Sequence, residues 1–213
     1  MNTVVFGGSF DPLHNGHLAV ADAVQSNFQV DEFLWTPSWH AVHKLDVHPA
    51  DAEFRARCIE SVLTERPNNE SVCRVEVDSG HSCYSVDTLQ LLQSENPQRR
   101  LFFLIGSDSL SHLSTWHNLP KLFGSCTFLL VPRPHWGALQ LAEFQRYLPD
   151  ELTSIFAAQF IDMPTVDLSS SDIRQQLASM QPASGLPKSV ADLISQHQEQ
   201  GLQVLVGQSR HHQ

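Results

Sequence analysis

Five short runs of β-branched and aromatic residues alternate with helical patterns along this chain of 213 residues. Four of these runs stop at a Gly or a Pro, as strands do at their ends. Alternating strands and helices favour an open, mostly parallel sheet, because parallel strands need a crossover connection that is usually a helix. We therefore predict an α/β fold of the Rossmann-like, doubly wound class, with helices on both faces of the sheet. The predicted strands are 3–6, 32–36, 73–77, 101–105 and 127–131, and the predicted helices cover about 17–27, 51–64, 85–93 and 188–200.

The charge of the chain restricts its partners. It carries 13 Lys and Arg residues against 23 Asp and Glu residues, a formal net charge of −10. A general nucleic-acid binder needs surplus cations for phosphate contacts, so we expect no nucleic-acid partner. No apolar run reaches the roughly 20 residues of a membrane span, so we expect no membrane partner.

The beginning of the chain and its cysteines bear on location. The chain opens on a strand-like run rather than a signal peptide, and its four cysteines form no C-x-x-C pair. Both features are typical of a cytoplasmic protein with reduced thiols. We expect a single domain over 1–213 with a frayed tail at 203–213, and we leave the formation of a homo-oligomer open.

Ligands of open α/β sheets bind outside the carboxyl ends of the strands. The residues that follow each predicted strand are therefore the first candidates for a functional site. These stretches are 7–17, 37–44, 106–110 and 132–134.

The first of these stretches reads G-G-S-F-D-P-L-H-N-G-H. The two glycines at its start allow a sharp turn and a close approach of a ligand to the backbone. The helix that begins near His17 is expected to offer unpaired N–H groups to an anion, and His14 and His17 are spaced to face one bound group. From the residues alone, a tight turn with two solvated histidines and a metal-binding histidine pair both stay open.

A second segment, Leu168–Arg174, reads L-S-S-S-D-I-R. It has the composition of a serine-rich helix N-terminus, where hydroxyl and N–H groups are available to phosphate oxygens. Arg174 lies one turn inside this helix and can reach back over the same end with a forked guanidinium. By itself a segment of this pattern is most often just a capped helix.

Together the two segments resemble the nucleotidyltransferases that carry an H-x-G-H element and a partner motif I-S-S-T-x-I-R. The H-x-G-H element is His14–His17, and Leu168 and Ser171 replace Ile and Thr conservatively in the second motif. The resemblance implies a clamp for the triphosphate of ATP, with His14, His17 and Arg174 in catalytic roles. It implies ATP contacts at Gly7, Gly8, Ser9, Phe10, Ser169 and Ser170.

Within that superfamily the chain, from about residue 3 to residue 202, is similar to the bacterial nicotinate-nucleotide adenylyltransferases. The similar segments are C-Y-S-V-D-T-L at 83–89, G-S-D-S-L at 106–110, T-W-H at 115–117, R-P at 133–134 and L-P-K-S-V at 186–190. The resemblance places Gly106 and Asp108 at the nucleotide, with the Asp108 carboxylate on a ribose. It implies mononucleotide contacts at Tyr84, Thr88, Trp116, His117 and Arg133. On the residues alone, Trp116 can also be ordinary core and Asp108 a helix N-cap.

The loop that ends at Lys44 departs from the family pattern. The family has P-H-K or P-H-R there, with the cation on substrate phosphate, and Val42 stands in place of the proline. Proline would hold the chain extended before His43. We therefore expect a loop that is more mobile or differently shaped. The resemblance implies Lys44 as the fourth catalytic residue.

The reaction implied by the resemblance joins the 5′-phosphate of nicotinate mononucleotide to the α-phosphorus of ATP and releases pyrophosphate. A phosphate monoester is largely dianionic at neutral pH, so no general base is needed. We expect Mg²⁺ to be carried by the triphosphate and water, without a dedicated protein ligand. The alternatives are a sibling enzyme acting on nicotinamide mononucleotide or phosphopantetheine, a nucleotide-sensing module without catalysis, and a metal hydrolase.

Overall fold

The strands form one sheet whose order reverses next to the first strand. The computed structural model describes residues 1–39, 49–132, 138–146, 148–164, 166–179, 181 and 183–199. The strand order is β3-β2-β1-β4-β5-β6, the order of a doubly wound sheet, so the predicted Rossmann-like α/β fold is confirmed. The strands are β1 (Asn2–Gly8), β2 (Glu32–Pro37), β3 (Glu70–Val72), β4 (Arg100–Gly106), β5 (Thr127–Val131) and β6 (Ala158–Phe160).

The central strands pair in parallel and are covered on both faces. Val4 of β1 lies opposite Phe102 of β4, and Leu104 of β4 lies opposite Leu129 of β5. The short strand β6 joins β5 in the same parallel sense. Because consecutive residues of β1, β4 and β5 are buried, neither face of these strands meets solvent.

The helices begin and end at residues suited to helix termini. Asp51 caps one helix by accepting hydrogen bonds from the N–H groups of Glu53 and Phe54, at 2.9 and 3.3 Å. The helices are α1 (Asn15–Asn27), α2 (Ala52–Leu63), α3 (Val75–Ser79), α4 (Ser85–Glu95), α5 (Leu119–Ser125), α6 (Ala138–Arg146), α7 (Asp150–Thr153), α8 (Ser170–Ala178) and α9 (Lys188–Glu199), with two 3-10 turns at Ser107–Ser111 and Leu113–Thr115. Within the described residues, no helix has the length and apolar character needed to cross a membrane.

The chain divides into two compact units. The first unit comprises Met1–Gly7, Val20–Leu34 and Tyr84–Val166, and a cluster of phenylalanine rings that includes Phe103, Phe128 and Phe156 packs within it. The second unit comprises Gly8–Ala19, Trp35–Cys83 and the described part of 167–213. In the second unit, α2 packs against α9, and Phe54 of α2 contacts the ring of His197.

The predicted strand at 73–77 is wrong, because most of this run forms the one-turn helix α3. Val77 of α3 packs against Ala52 and Ala56 of α2, and the turn ends at Gly80, whose φ of 68° lies in the left-handed region. The strand of this region comes earlier, as β3. Alternating β-branched residues favoured a strand, but here the apolar contact with α2 decides the local structure.

Candidate active site

The loop between β1 and α1 packs around the buried ring of Phe10. Phe10 has a φ of 47°, which is uncommon for a residue with a side chain, and its ring is buried. The edge of that ring contacts His17 with 5.0 Å between ring centroids, and it contacts Trp35 at 5.5 Å. A Cβ at Gly8 would lie 3.1 Å from the Phe10 ring, so this packing itself calls for a glycine.

His14 and His17 lie side by side, and backbone N–H groups orient both rings. Their rings stack with centroids 3.8 Å apart. Nδ1 of His14 accepts a hydrogen bond from the Gly16 N–H at 3.1 Å, and Nδ1 of His17 accepts one from the His14 N–H at 3.2 Å. A ring nitrogen that accepts carries no proton, so this pattern assigns the proton of each neutral imidazole to Nε2.

The prediction that the start of α1 offers unpaired N–H groups to an anion is wrong. The Asn15 N–H donates to the Gly185 carbonyl at 2.7 Å, and the Gly16 N–H donates to His14 as described above. The N–H groups of His17 and Leu18 both donate to the His14 carbonyl. The first four N–H groups of α1 are thus used internally, and the Nε2–H groups of the two histidines become the candidate donors in their place.

The serines at the start of α8 attach this helix to the first loop. Ser169 is the N-cap residue: its hydroxyl accepts from the Asp172 N–H and donates to the Asp172 carboxylate at 2.7 Å. The Ser170 hydroxyl donates to the Pro12 carbonyl at 3.1 Å. In this arrangement both hydroxyl protons go to protein acceptors, and ATP contacts by these two serines stay a prediction.

Arg174 holds the same two segments together. Its Nη1 donates to the Asp11 carbonyl at 2.6 Å, and its Nη2 donates to the Ser171 hydroxyl at 3.1 Å. The Asp11 carboxylate lies 3.8 Å from the guanidinium. Since a guanidinium has five N–H groups, these bonds orient Arg174 while leaving donor capacity for a ligand.

Sequence reasoning missed the most deeply buried cation of this region, Arg55 of α2. Its side chain is 1% exposed and donates four hydrogen bonds, each to a backbone carbonyl. One signal was available: Arg55 lies three residues after Ala52 and four before Ile59, on the apolar face of the predicted helix. A cation on such a face is expected to have buried partners.

The described residues predicted to contact the mononucleotide, Tyr84, Thr88, Trp116 and His117, lie in the first unit. The rings of Tyr84 and His117 stack with centroids 4.2 Å apart and planes 23° apart. Tyr84 is 45% exposed, so this pair offers a flat aromatic surface. The half-buried Trp116 contacts Phe103 edge-on, with centroids 6.1 Å apart, and therefore has core contacts as well.

Thr88 carries an unusual hydroxyl. It lies on α4 one turn after Tyr84, and the residue is 4% exposed. Among the buried side-chain nitrogen and oxygen atoms of the described residues, Oγ1 of Thr88 alone has no hydrogen-bond partner. A buried hydroxyl without a partner costs free energy, which is typical of a group that serves a ligand.

Two of the predicted nucleotide contacts follow β4, and others lie outside the described residues. Gly106 ends β4 and is the N-cap residue of the 3-10 turn at Ser107–Ser111, so Asp108 is not the cap residue but lies inside the turn. Lys44 and Arg133 lie outside the described residues. Within the residues that are described, no cluster of three or more His, Cys, Asp or Glu side chains could hold a metal ion.

The chain is similar to a known protein family and to curated members of it. The sequence matches the model of the cytidylyltransferase-like family over residues 5–176. It is 31% identical to a probable nicotinate-nucleotide adenylyltransferase of Bacillus pumilus strain SAFR-032, over 91% of this chain and 95% of that protein. It is 37% identical to a protein of the same description from Frankia alni strain ACN14a, over 83% of this chain and 87% of that protein.

A solved structure has the same fold. The nicotinic acid mononucleotide adenylyltransferase of Plasmodium falciparum, complexed with NaAD, is similar with a TM-score of 0.72. The similarity covers 95% of this chain and 98% of that chain at 17% sequence identity. At that identity the likeness supports the fold and nothing finer.

We expect Gly16→Ala to disturb the His14 imidazole. A Cβ at Gly16 would lie 2.8 Å from Nδ1 and 2.9 Å from Cε1 of His14, so the ring must move and lose the Gly16 N–H bond. Nitrogen-15 NMR of the imidazole should then show a mixture of tautomers. Calorimetry should show ATP affinity reduced about tenfold, the effect of one charge-assisted hydrogen bond.

Gly124→Ala is the matched control for this prediction. Gly124 lies in α5, and a Cβ there would have no atom within 4 Å. Alanine favours a helix over glycine by roughly 1 kcal/mol, so this variant should be slightly more stable with unchanged ATP affinity. A single Nε2–H tautomer of His14 retained in Gly16→Ala would contradict the assignment.

Proposed function

Because the chain belongs to the cytidylyltransferase-like family, and within it to the nicotinate-nucleotide adenylyltransferases, we propose that it transfers the adenylyl group of ATP to nicotinate mononucleotide. The products are nicotinate adenine dinucleotide and pyrophosphate, and the reaction is a step of NAD biosynthesis. An oxygen of the mononucleotide 5′-phosphate forms a bond to the α-phosphorus of ATP. The bond from that phosphorus to the bridging oxygen breaks, and pyrophosphate leaves with the electron pair.

The observation that carries this proposal is the paired Nε2–H groups of His14 and His17. The attacking phosphate is already largely dianionic at neutral pH, so the protein has no proton to remove. It has to hold the reactants in line and stabilise the negative charge that builds on the leaving pyrophosphate. Two neighbouring imidazoles with their Nδ1 atoms fixed by the backbone are oriented donors for that charge.

Arg174 is proposed to complete the phosphate contacts from α8. Its attachment to the Asp11 carbonyl and to Ser171 supports this role, because a guanidinium held at two of its N–H groups loses little freedom when it binds phosphate. Lys44 is proposed, from the sequence resemblance, to contact phosphates of both substrates. Mg²⁺, carried by the triphosphate and water, would supply further neutralisation of the phosphate charge.

The residues proposed for the pyridine nucleotide are Thr88, Trp116 and the stacked pair Tyr84–His117. A pyridine ring has a flat face that an aromatic side chain can cover. A carboxylate on this ring can accept a hydrogen bond from the unpaired Thr88 hydroxyl. This pairing favours nicotinate over nicotinamide mononucleotide, and Arg133 is proposed as a further contact to the mononucleotide.

The proposal is tested by the release of pyrophosphate from ATP with three acceptors. We expect turnover with nicotinate mononucleotide, weaker turnover with nicotinamide mononucleotide, and none with phosphopantetheine. In His17→Ala, kcat should fall by about 10²- to 10³-fold, because one donor to the developing charge is removed. His112→Ala, at an exposed histidine with no proposed role, should keep kcat within about twofold.

Each outcome of this assay has a definite meaning. Absence of turnover with both mononucleotides contradicts the proposed function. Turnover with phosphopantetheine as the best acceptor supports the sibling enzyme instead. Near wild-type kcat in His17→Ala contradicts only the role of that histidine.

Thr88→Val should separate the effect on the substrate from the effect on stability. Valine has nearly the shape of threonine and lacks the buried, unpaired hydroxyl. We expect the free energy of unfolding to rise by about 1 kcal/mol, since an unsatisfied polar group is removed. We expect KM for nicotinate mononucleotide to rise about tenfold while KM for ATP stays unchanged, since one hydrogen bond to the carboxylate is lost.

Thr153→Val serves as the control for that substitution. Thr153 lies at the end of α7, and its exposed hydroxyl donates to the carbonyls of Leu148 and Pro149, just before that helix. This variant should gain no stability and should keep both KM values. An unchanged preference for nicotinate over nicotinamide mononucleotide in Thr88→Val would contradict the proposed contact.

A further inference from the structure

The guanidinium of Arg55 joins three separate stretches of the second unit through their backbone carbonyls. Its Nη1 donates to the carbonyl of Ser9, in the first loop, at 2.6 Å. Its Nη2 donates to the carbonyls of Ser38 and Trp39, which follow β2, at 2.7 and 2.9 Å. Its Nε donates to the carbonyl of Ala50, just before α2, at 2.8 Å.

Trp39 and Ala50 are each held at both backbone groups. The Trp39 carbonyl accepts from Arg55, and the Trp39 N–H donates to the Glu76 carboxylate at 2.9 Å. The Ala50 carbonyl accepts from Arg55, and the Ala50 N–H donates to the Asp11 carboxylate at 3.2 Å. Arg55 is the group common to both ends, and Asp11 belongs to the same first loop as His14.

All three charged groups of this arrangement are buried. Arg55, Asp11 and Glu76 are each less than 10% exposed. Burial lowers the pKa of Arg55, and the carboxylates of Asp11, Asp51 and Glu76 oppose that shift. Burial likewise raises the pKa of Glu76, against hydrogen bonds from the N–H groups of Trp39 and Cys83 and the charge of Arg55. The charges therefore stabilise one another, and the carbonyls are bound by an ionised group.

The geometry points to Arg55 as a positioning residue for the proposed adenylyl transfer, a role that rests on the proposed function. The Arg55 guanidinium fixes the first loop relative to Trp39 and Ala50. The first loop carries His14 and His17, and the sequence between Trp39 and Ala50 carries Lys44. No side chain of this arrangement is proposed to touch a substrate. Arg55 acts through backbone carbonyls, one of them that of Ser9 in the loop that carries the two histidines.

A lysine at position 55 cannot reproduce this arrangement. It keeps the buried positive charge, but its compact ammonium has three donors and no rigid fork to reach four carbonyls at once. The loops would then lose their fixed separation, and a displacement of about 1 Å in a reacting group can lower the rate about 10²-fold. Binding of the pyridine ring uses residues of the first unit and should not depend on Arg55.

The test compares Arg55→Lys with Arg99→Lys in the full-length protein. Arg99 also has a forked guanidinium; its side chain is 13% exposed and is bound to the Glu32 carboxylate and the Leu92 carbonyl within the first unit. For Arg55→Lys we expect kcat to fall by 10- to 100-fold with KM for nicotinate mononucleotide changed less than about threefold. Arg99→Lys should lower Tm to a similar extent and keep kcat within about twofold.

Amide hydrogen exchange gives a readout that a general loss of stability would not produce. Arg55→Lys should exchange faster at the Trp39 and Ala50 amides, while the amides of β4 and β5 stay as protected as in the wild type. Glu76→Gln keeps an oxygen for the Trp39 N–H and removes the charge facing Arg55. This milder variant should lower kcat by about threefold to tenfold with the same unchanged KM.

The outcomes separate the two proposals. A wild-type protein that turns over neither mononucleotide overturns the proposed function, and the role of Arg55 in that reaction with it. An active wild type with unchanged kcat in Arg55→Lys overturns only the role of Arg55. Equal losses of kcat in Arg55→Lys and Arg99→Lys at equal Tm assign Arg55 to stability alone. If Arg55→Lys does not fold, unchanged kcat in Glu76→Gln overturns the positioning role of Arg55.

Discussion

The arrangement of the second unit depends on one buried cation. Removing a guanidinium from water costs several kcal/mol, and the cost is offset only when its N–H groups find partners and opposite charges lie near. Arg55 has four carbonyl partners and the carboxylates of Asp11 and Glu76 in its surroundings. The carbonyls belong to loops that follow strands, where no ladder or helix satisfies them. The charge therefore replaces the regular backbone hydrogen bonds that these loops lack.

Hydrogen bonds to the backbone of a loop also orient the histidine pair. Metal-binding and catalytic histidines are commonly oriented by a carboxylate or a carbonyl that accepts from Nδ1. Here the polarity is reversed, because backbone N–H groups of the loop donate to Nδ1 of both rings. The spacing H-x-G-H follows from this geometry. The glycine N–H reaches the first imidazole, and any Cβ at that position would collide with the ring.

Sequence patterns predicted the structure correctly where a pattern fits one kind of secondary structure. They failed where a pattern fits both a strand and a helix and tertiary packing determines which one forms. The apolar runs of β4 and β5 were predicted as strands because a continuous apolar run that ends at a Gly or Pro suits a buried parallel strand. The structure confirms both strands. The run 73–77 was misassigned because the alternation of Val75 and Val77 is a strand pattern, whereas the contact of Val77 with α2 is made from a helix. The start of α1 was expected to expose N–H groups, a property that depends on distant Gly185 and on the rotamer of His14.

Strand–helix alternation and contiguous motifs are local properties, so the fold class, the family and the segments proposed for the site can be read from the sequence. Which groups donate and accept within those segments follows from tertiary contacts. The tertiary structure assigned the histidine protons to Nε2, gave the hydroxyl protons of Ser169 and Ser170 to protein acceptors, and left Thr88 Oγ1 unpaired. It also showed that Arg55 joins the first loop to the residues after β2 and before α2. The physical reason is that a hydrogen bond depends on donor and acceptor positions within a few tenths of an ångström, and residues distant in sequence fix those positions.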